Sequence, residues 1–302
     1  MAYDLTNKLV IGVSSRALFD LDKENEIYEK QGAEAYCQYQ VAHENDILLP
    51  GPGFSLIRAL LKLNGLPGNE GRVEVILMSR NSADASLRIF HSIRHYGLPI
   101  SRAVLSGGGS LAPYLKAFDT DLFLSANEED VQSAIDYGIA AGMVIHGNLH
   151  TYRADGHISQ IRIAFDGDAV LFTDESERLF QKSGLEAFEE NERRQAENPL
   201  PEGPFANFLK TISRIQKEFK GEQVPIRTAL VTSRCAPAHE RVIRTLRAWN
   251  VRVDETYFLG GISKKDVLKA FDAQIFFDDQ MLHALDAAQV VPSARVPYKN
   301  SA

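Results

Sequence analysis

The sequence predicts an α/β protein with a mostly parallel β-sheet, arranged in two tandem halves. Three observations lead to this prediction. Short apolar runs alternate with longer amphipathic segments along the chain, which is the pattern of strands joined by crossover helices. Two of the apolar runs, at about 161–166 and 274–278, end in closely spaced carboxylates. Finally, the chain repeats part of its own sequence with a period of about half its length.

Each half is expected to contain the same elements in the same order. Apolar runs predict strands at about 8–14, 73–78 and 121–125 in the first half, and at about 161–166, 227–232 and 274–278 in the second. Each half adds a short strand before a glycine turn and a helix after it. Helical inserts are expected at about 22–66 and 174–221, and the proline-rich stretch 198–204 predicts a turn that divides the second insert.

Amphipathic helices are expected at about 84–96 and 237–249. In the second of these, Val242, Ile243, Leu246 and Trp249 share one face, as helical spacing requires. The basic residues of that helix are expected to form a solvated face rather than a binding patch. Parallel strands need long crossover connections, so helices are expected on both faces of the sheet.

The internal repeat supports a tandem duplication. The sequence LKAFD at 115–119 recurs at 268–272. Further segments correspond in the same order with a drift of one or two residues: 11–16 with 163–168, 30–36 with 182–188, 51–52 with 203–204, 76–80 with 230–234, 105–110 with 258–263 and 122–124 with 275–277. We therefore expect two domains, 1–150 and 151–302.

The two copies differ in the residues that carry chemistry. The second copy contains Asp166, Asp168, Thr232, Lys264, Asp278 and Asp279. The corresponding positions of the first copy hold Ser14, Arg16, Met78, Leu111, Ser125 and Ala126. Because the first copy has lost the hard oxygen ligands that Mg²⁺ prefers, we expect 1–150 to be a degenerate, non-catalytic half.

A site is expected where the apolar run at about 161–166 ends in Asp166 and Asp168. Ligands bind beyond the carboxyl ends of strands in open α/β sheets. Two carboxylates this close repel each other unless a cation or a shared proton relieves them. On this segment alone, a solvated Asp-Gly-Asp turn is an equally good interpretation.

Four segments follow one another along the second half: a strand with DxD at 161–168, a strand ending in threonine at 228–233, a glycine turn with lysine at 260–265, and a strand with DD at 274–279. In this order they resemble the four motifs of the haloacid-dehalogenase superfamily of phosphotransferases and phosphatases. Further stretches, 13–20, 95–98, 164–172, 174–177 and 276–280, resemble the cytosolic 5'-nucleotidase I family over nearly the whole chain. The resemblance implies two haloacid-dehalogenase-like, Rossmannoid halves, each with a helical cap-like insert, the catalytic one at about 174–221.

The resemblance also implies a mechanism that depends on Mg²⁺. Asp166 would be the nucleophile, and Asp168 the general acid and base. Asp166, Asp278 and the backbone carbonyl of Asp168 would hold the metal. Thr232 and Lys264 would bind the transferring phosphoryl oxygens, with Lys265 as the competing lysine. Asp279 would orient Lys264 or a metal-bound water.

The family resemblance alone implies the substrate, a nucleoside 5'-monophosphate such as AMP or a deoxynucleotide. Candidate substrate-binding residues are Gly167, where the backbone approaches the phosphate, together with Ser233, Arg234, Phe205, Arg16 and Asn81. Phe205 would contact the base or belong to the core of the cap. The first half would contribute Arg16, Arg80 and Asn81 to the nucleotide site, or that half would be only a scaffold. A sugar-phosphate phosphatase and a non-catalytic nucleotide-binding protein are the alternative functions.

Composition limits the partners and the compartment. The 302-residue chain has a net charge of −7, so a nucleic-acid backbone is not an expected partner. Its two cysteines fit a reducing cytoplasm. The first ten residues do not follow the plan of a signal peptide, and no apolar run approaches the ~20 residues of a membrane span. The expected partner is a small-molecule nucleoside monophosphate, and a homo-oligomer is left open.

Overall fold

A computed structural model describes residues 4–65, 71–146, 160–219 and 224–298. The chain forms two compact units, Met1–Ala154 and Asp155–Ala302. Within each unit, the paired strands are parallel and alternate with helices along the chain. The predicted α/β class and the mostly parallel sheet are therefore confirmed. No helix in the described parts of the chain is both long and apolar enough to cross a membrane.

The first unit has a sheet in the order β3-β2-β1-β4-β5. Its strands are β1 (Leu9–Val13), β2 (Val73–Ser79), β3 (Arg102–Leu105), β4 (Leu122–Ser125) and β5 (Ala140–Val144). Its helices are α1 (Ser15–Leu18), α2 (Asp22–Ala42), α3 (Phe54–Lys62), α4 (Leu87–His95), α5 (Ala112–Ala117) and α6 (Glu128–Asp136). The central strands β1, β2 and β4 are buried along their whole length, which explains why they read as continuous apolar runs.

The second unit has a sheet in the order β10-β9-β6-β7-β8. Its strands are β6 (Ile161–Phe165), β7 (Ile226–Thr232), β8 (Glu255–Phe258), β9 (Ile275–Asp278) and β10 (Ser293–Arg295). Its helices are α7 (Glu175–Arg194), α8 (Ala206–Glu218), α9 (His239–Ala248), α10 (Lys265–Phe271) and α11 (Met281–Ala287). The proline-rich stretch lies between α7 and α8.

Each unit has one strand that the apolar pattern did not predict, together with the helix before it. These are α6 with β5 in the first unit and α11 with β10 in the second. The first three residues of β5 are Ala-Ala-Gly, and β10 is only the tripeptide Ser-Ala-Arg. Such small and polar residues have a weak intrinsic preference for strands, so pairing with a neighbouring strand decides their conformation.

Aromatic packing fixes the ends of the two strands that lead to the carboxylates. Phe165 at the end of β6 and Phe277 in β9 are stacked, with ring centroids 5.8 Å apart. Phe205 packs against both rings, 4.6 Å from Phe277, and has no exposed surface. Of the two expectations for Phe205, contact with the base or a place in the core, the buried ring agrees with the core.

Candidate active site

Three carboxylates meet where β6 and β9 end. Asp166 follows β6, Asp278 closes β9 and Asp279 comes next. The backbone N–H of Asp166 donates to the carbonyl of Phe277 at 2.8 Å, which holds the two strand ends together. All three side chains are buried, and one carboxylate oxygen from each lies within 4.8 Å of the others. The cluster has the size and the ligand atoms of a cation site.

Lys264 is the positive charge of this cluster. Its Nζ donates to Asp166 Oδ1 at 2.8 Å and to Asp278 Oδ2 at 2.7 Å, and the side chain is buried. Burial alone would lower the pKa of Lys264, but the two carboxylates outweigh it and raise that pKa. Lys265 instead donates to Gln289 at the surface. Of the two candidate lysines, the structure places Lys264 at the carboxylates.

The acidic side chains carry more negative charge than Lys264 balances. Burial, together with Asp278 and Asp279, raises the pKa of Asp166 well above its ordinary value, against the opposing effect of Lys264. Burial also raises the pKa of Asp279 to about 6, although a hydrogen bond from Tyr298 acts in the other direction. These shifts are the ones expected where like charges share a water-poor site.

Asp278 behaves differently from its two neighbours. Burial would raise its pKa, but nearby donors and positive charge lower it. The imidazole Nδ1 of His283 lies 3.6 Å from Asp278 Oδ1, beyond the usual hydrogen-bond distance. Lys264 and the backbone N–H of Gln280 donate to its carboxylate oxygens. Asp278 is therefore the member of the cluster that is most readily ionised.

Asp279 has a partner other than the expected one. Its Oδ2 accepts a hydrogen bond from the Tyr298 hydroxyl at 2.6 Å, whereas Lys264 donates to the other two carboxylates. Of the two expected roles of Asp279, this geometry shows no hydrogen bond to Lys264, and the orientation of a metal-bound water stays a prediction. The structure instead ties Asp279 to the segment that follows β10.

The end of β7 lies beside the loop that carries Asp166 and Asp168. A Cβ added to Gly167 would lie 3.2 Å from Thr232 Oγ1, a contact tighter than ordinary packing. The same hydroxyl oxygen accepts the backbone N–H of Arg234. Ala169, in the loop, has a φ of 60°, which is costly for any residue other than glycine. The structure thus brings Thr232 against the Asp-Gly-Asp loop, while Ser233 is exposed.

Asp168 lies outside the acidic cluster in a second network. Its carboxylate makes a bidentate pair with Arg234, at 2.8 Å from Nε and 2.7 Å from Nη2. The remaining nitrogen of Arg234, Nη1, donates to Glu192 at 2.6 Å. The other oxygen of Glu192 accepts from Arg241 at 2.9 Å and from the Ser176 hydroxyl at 3.2 Å. The network therefore alternates negative and positive charge from the loop to α7 and α9.

This network bears on two expectations. All three nitrogens of the Arg234 guanidinium donate to carboxylates and the residue is buried, whereas contact of Arg234 with substrate stays a prediction. Arg241 is also buried, although the basic residues of its helix were expected to be solvated. Glu192 was not predicted at all. Within α7 it looks like its neighbours Glu189 and Glu190, and only its burial distinguishes it.

The two remaining candidates lie in the first unit, with partners in that unit. Arg16 Nη1 donates to Asn25 Oδ1 at 2.8 Å, and Asn81 Nδ2 donates to the Tyr36 hydroxyl oxygen at 3.0 Å. Both residues line a cavity of about 460 Å³ formed by residues of this unit. The residues that line this cavity belong to the first unit, and the residues of the acidic cluster belong to the second.

Comparisons with known proteins identify the family of the chain. A family model described as 5'-nucleotidase matches residues 1–302. Human cytosolic 5'-nucleotidase 1B is 41% identical to this chain over 293 residues, which cover 94% of this chain and 47% of that protein. The chain thus spans about half the length of this curated relative. Because the family model extends over both units and includes all the clustered carboxylates, the chain belongs to the 5'-nucleotidase family.

Proposed function

We propose that the chain is a Mg²⁺-dependent 5'-nucleotidase, which hydrolyses nucleoside 5'-monophosphates to nucleoside and phosphate. The observation that carries this proposal is the buried cluster of Asp166, Asp278 and Asp279 around Lys264. Three carboxylates against one ammonium leave an excess of two negative charges when all are ionised. A divalent cation balances that excess, and family membership supports the substrate class. The name of the human relative supports a cytosolic location.

The donor set fits Mg²⁺. Carboxylate and carbonyl oxygens are the hard ligands that this ion prefers. Asp166, Asp278 and the backbone carbonyl of Asp168 would hold it, with Asp279 close by. When bound, the ion would neutralise the charge of the phosphate dianion so that it can approach a carboxylate.

The residues of the chain divide the reaction between them. An oxygen of Asp166 would form a bond to phosphorus as the bond from phosphorus to the ester oxygen breaks, which gives an aspartyl-phosphate. Asp168 would donate its proton to the departing nucleoside oxygen. Asp168 would then take a proton from water, which attacks phosphorus and releases phosphate and free Asp166. Thr232 and Lys264 would hold the transferring oxygens, the lysine as a point charge.

Arg234 would control the orientation of Asp168. Its bidentate pair holds the Asp168 carboxylate in one orientation, which suits the water-activating step. Donation of a proton to the leaving group requires Asp168 to take up a proton and release at least one of these bonds. We therefore propose that Arg234 is a positioning residue for Asp168.

We also propose that the two units arose by tandem duplication and that the first is non-catalytic. Read from one edge, the sheets have matching orders, β3-β2-β1-β4-β5 and β8-β7-β6-β9-β10. The insert helices α2 and α7 are both interrupted by a glycine at positive φ, Gly32 at 87° and Gly184 at 80°. On this proposal, α7 and α8 form the helical cap of the catalytic unit.

A buried arginine cluster in each unit also supports the duplication. Arg88 Nη1 lies 2.6 Å from Glu24 Oε1 and 3.4 Å from Gln40 Oε1. Arg88 corresponds to Arg241 of the second unit at an offset of 153 residues. At an offset of 152 residues, Glu24 corresponds to Ser176 and Gln40 to Glu192. The carboxylate that pairs with the arginine is Glu24, at the earlier position, in the first unit and Glu192, at the later position, in the second. Each unit therefore keeps a buried pair of an arginine and a glutamate.

The proposed function is tested by measuring phosphate release from a panel of nucleoside monophosphates and sugar phosphates. Release from the nucleotides is expected with Mg²⁺ and not with EDTA, because the three carboxylates need a divalent ion to admit the phosphate. Release from sugar phosphates alone would favour the alternative phosphatase. Absence of all turnover, with nucleotide still bound, would favour a binding protein.

The two lysines provide a matched comparison. Lys264→Met is expected to lower kcat by about 10²- to 10³-fold at saturating Mg²⁺, because one donor to the transferring oxygens is lost. Lys265→Met removes the same charge one residue away, at the surface, and should leave kcat close to the wild-type value. Steady-state kinetics on both variants check this expectation. Equal losses, or a larger loss at Lys265, would contradict the assignment.

A further inference from the structure

The cavity of the first unit lies where β1, β2 and β4 end. Ser14 follows β1, Ser79 closes β2 and Ser125 closes β4, and all three line the cavity. Its volume of about 460 Å³ falls within the range of about 300–1,000 Å³ that is usual for small-molecule sites. The carboxyl ends of parallel strands are also the usual position of ligands in α/β sheets.

Two arginines, Arg16 and Arg80, line this cavity beside two acids, Glu129 and Asp130. The Nε of Arg16 is buried and has no hydrogen-bond partner among the described residues. Its Nη2 lies 3.4 Å from Asp22, which is largely exposed. Arg80 Nη1 lies 3.5 Å from Asp130 and 3.6 Å from Glu129. Such long, partly solvated pairs contribute little energy, so both guanidiniums can accept a better anion.

The cavity also presents hydroxyl groups whose protons lack acceptors. Ser14 Oγ accepts the backbone N–H of Ala17, and Ser125 Oγ accepts that of Asn127. The Tyr36 hydroxyl oxygen accepts from Asn81 and from Gln40. Within the described residues, none of these three hydroxyls has a hydrogen-bond acceptor for its own proton. A set of donors without acceptors in a cavity is complementary to an anion with several oxygens.

An aromatic surface adjoins these donors. Tyr28 and Tyr36 line the cavity and meet edge to face, with ring centroids 6.0 Å apart. The ring of Tyr28 is about half exposed, at 53%. An exposed ring beside a polar pocket is suited to stacking against a planar base.

The comparison with the second unit indicates how this site differs from the proposed catalytic one. Ser14 and Ser125 stand at the positions of Asp166 and Asp278. Arg16 and Arg80 stand at the positions of Asp168 and Arg234, so two arginines with longer ion pairs to acids of the first unit replace one close ion pair. With serines in place of two carboxylates and a second arginine, the first unit needs less added positive charge at these positions than the carboxylate cluster does, and it lacks the nucleophile.

We propose that this cavity binds a phosphate monoester that carries an aromatic ring, of the nucleoside monophosphate class, without a divalent cation and without hydrolysing it. The phosphate would lie against Arg16, Arg80 and the serine hydroxyls, and the ring against Tyr28. The proposal goes beyond the proposed catalytic function and does not depend on turnover.

The test measures binding by isothermal titration calorimetry with a full-length Asp166→Asn background, in which the titrated nucleotide is not consumed. In EDTA, one nucleoside monophosphate should bind per chain. Ser14→Asp should weaken that binding at least tenfold, because a carboxylate then faces the phosphate. Ser14→Asn is the matched control, since both residues can cap α1 as Ser14 does. It should retain much more affinity than Ser14→Asp.

Two further measurements distinguish the parts of the site. Arg80→Ala should weaken the binding of both the nucleotide and inorganic phosphate, whereas Lys30→Ala, an exposed charge on α2, should change neither. Tyr28→Ala should weaken the binding of the nucleotide and leave the binding of inorganic phosphate unchanged. Absence of binding in EDTA, equal effects of Asp and Asn at position 14, or inorganic phosphate binding as tightly as the nucleotide would overturn the proposal.

Discussion

Replacing Asp166 by asparagine is expected to lower kcat for nucleotide hydrolysis by a factor on the order of 10⁴ or more, as for other essential nucleophiles. The amide keeps the shape of the side chain but cannot form the bond to phosphorus. Asp166 is the carboxylate that lies at the end of β6 and contacts Lys264. Steady-state phosphate release, at enzyme concentrations high enough to detect residual turnover, provides the measurement.

The Asp166→Asn variant should lose activity without losing thermal stability. Burial and the neighbouring carboxylates disfavour a charge on Asp166, so the neutral asparagine should leave the thermal unfolding midpoint without metal unchanged or higher. Asp266→Asn makes the same change at an exposed position of α10 and should leave kcat unchanged. An Asp166→Asn variant with wild-type kcat would remove Asp166 from the chemistry.

Glu192→Ala is expected to lower the free energy of unfolding by about 3–5 kcal/mol, the usual effect of breaking a buried ion pair. Glu192 has no exposed side-chain surface, and its loss leaves Arg234 and Arg241 without their shared carboxylate. Equilibrium denaturation with urea measures the change. Glu192→Gln keeps some hydrogen bonds and should cost less.

The control for Glu192 lies two residues away on the same helix. Glu190 is exposed and, among the described residues, pairs only with Arg193 at the surface, so Glu190→Ala should change stability by no more than about 0.5 kcal/mol. Glu192→Ala should also lower kcat, because Arg234 would hold Asp168 less firmly. Equal stability of the two alanine variants would show that the buried network does not stabilise the fold.

The sequence was most informative where chemistry and strand ends coincide. Apolar runs that end in carboxylates located Asp166 and Asp278 at strand ends, and the resemblance to the haloacid-dehalogenase motifs implied that they meet. The same resemblance selected Lys264 rather than Lys265, and Lys264 Nζ donates to both carboxylates. Strand direction and motif order together were needed for these predictions.

The sequence was least informative where distant residues decide the environment. Glu192 and Arg234 are 42 positions apart, and no local pattern separates Glu192 from the exposed acids of α7. Phe205 follows a proline-rich turn, where a ring that contacts ligand and a ring of the core have the same local pattern. In both cases the packing of separate elements, rather than the local sequence, decides burial.

The most direct test of the account is to look for phosphate on Asp166. The enzyme would be mixed with a nucleoside monophosphate and Mg²⁺, quenched in acid during turnover and digested with pepsin, and the fragment containing Asp166 analysed by tandem mass spectrometry. The account predicts phosphate on Asp166 in the wild-type chain and none in Asp166→Asn. Turnover without phosphate on Asp166, or with phosphate on another residue, would contradict it.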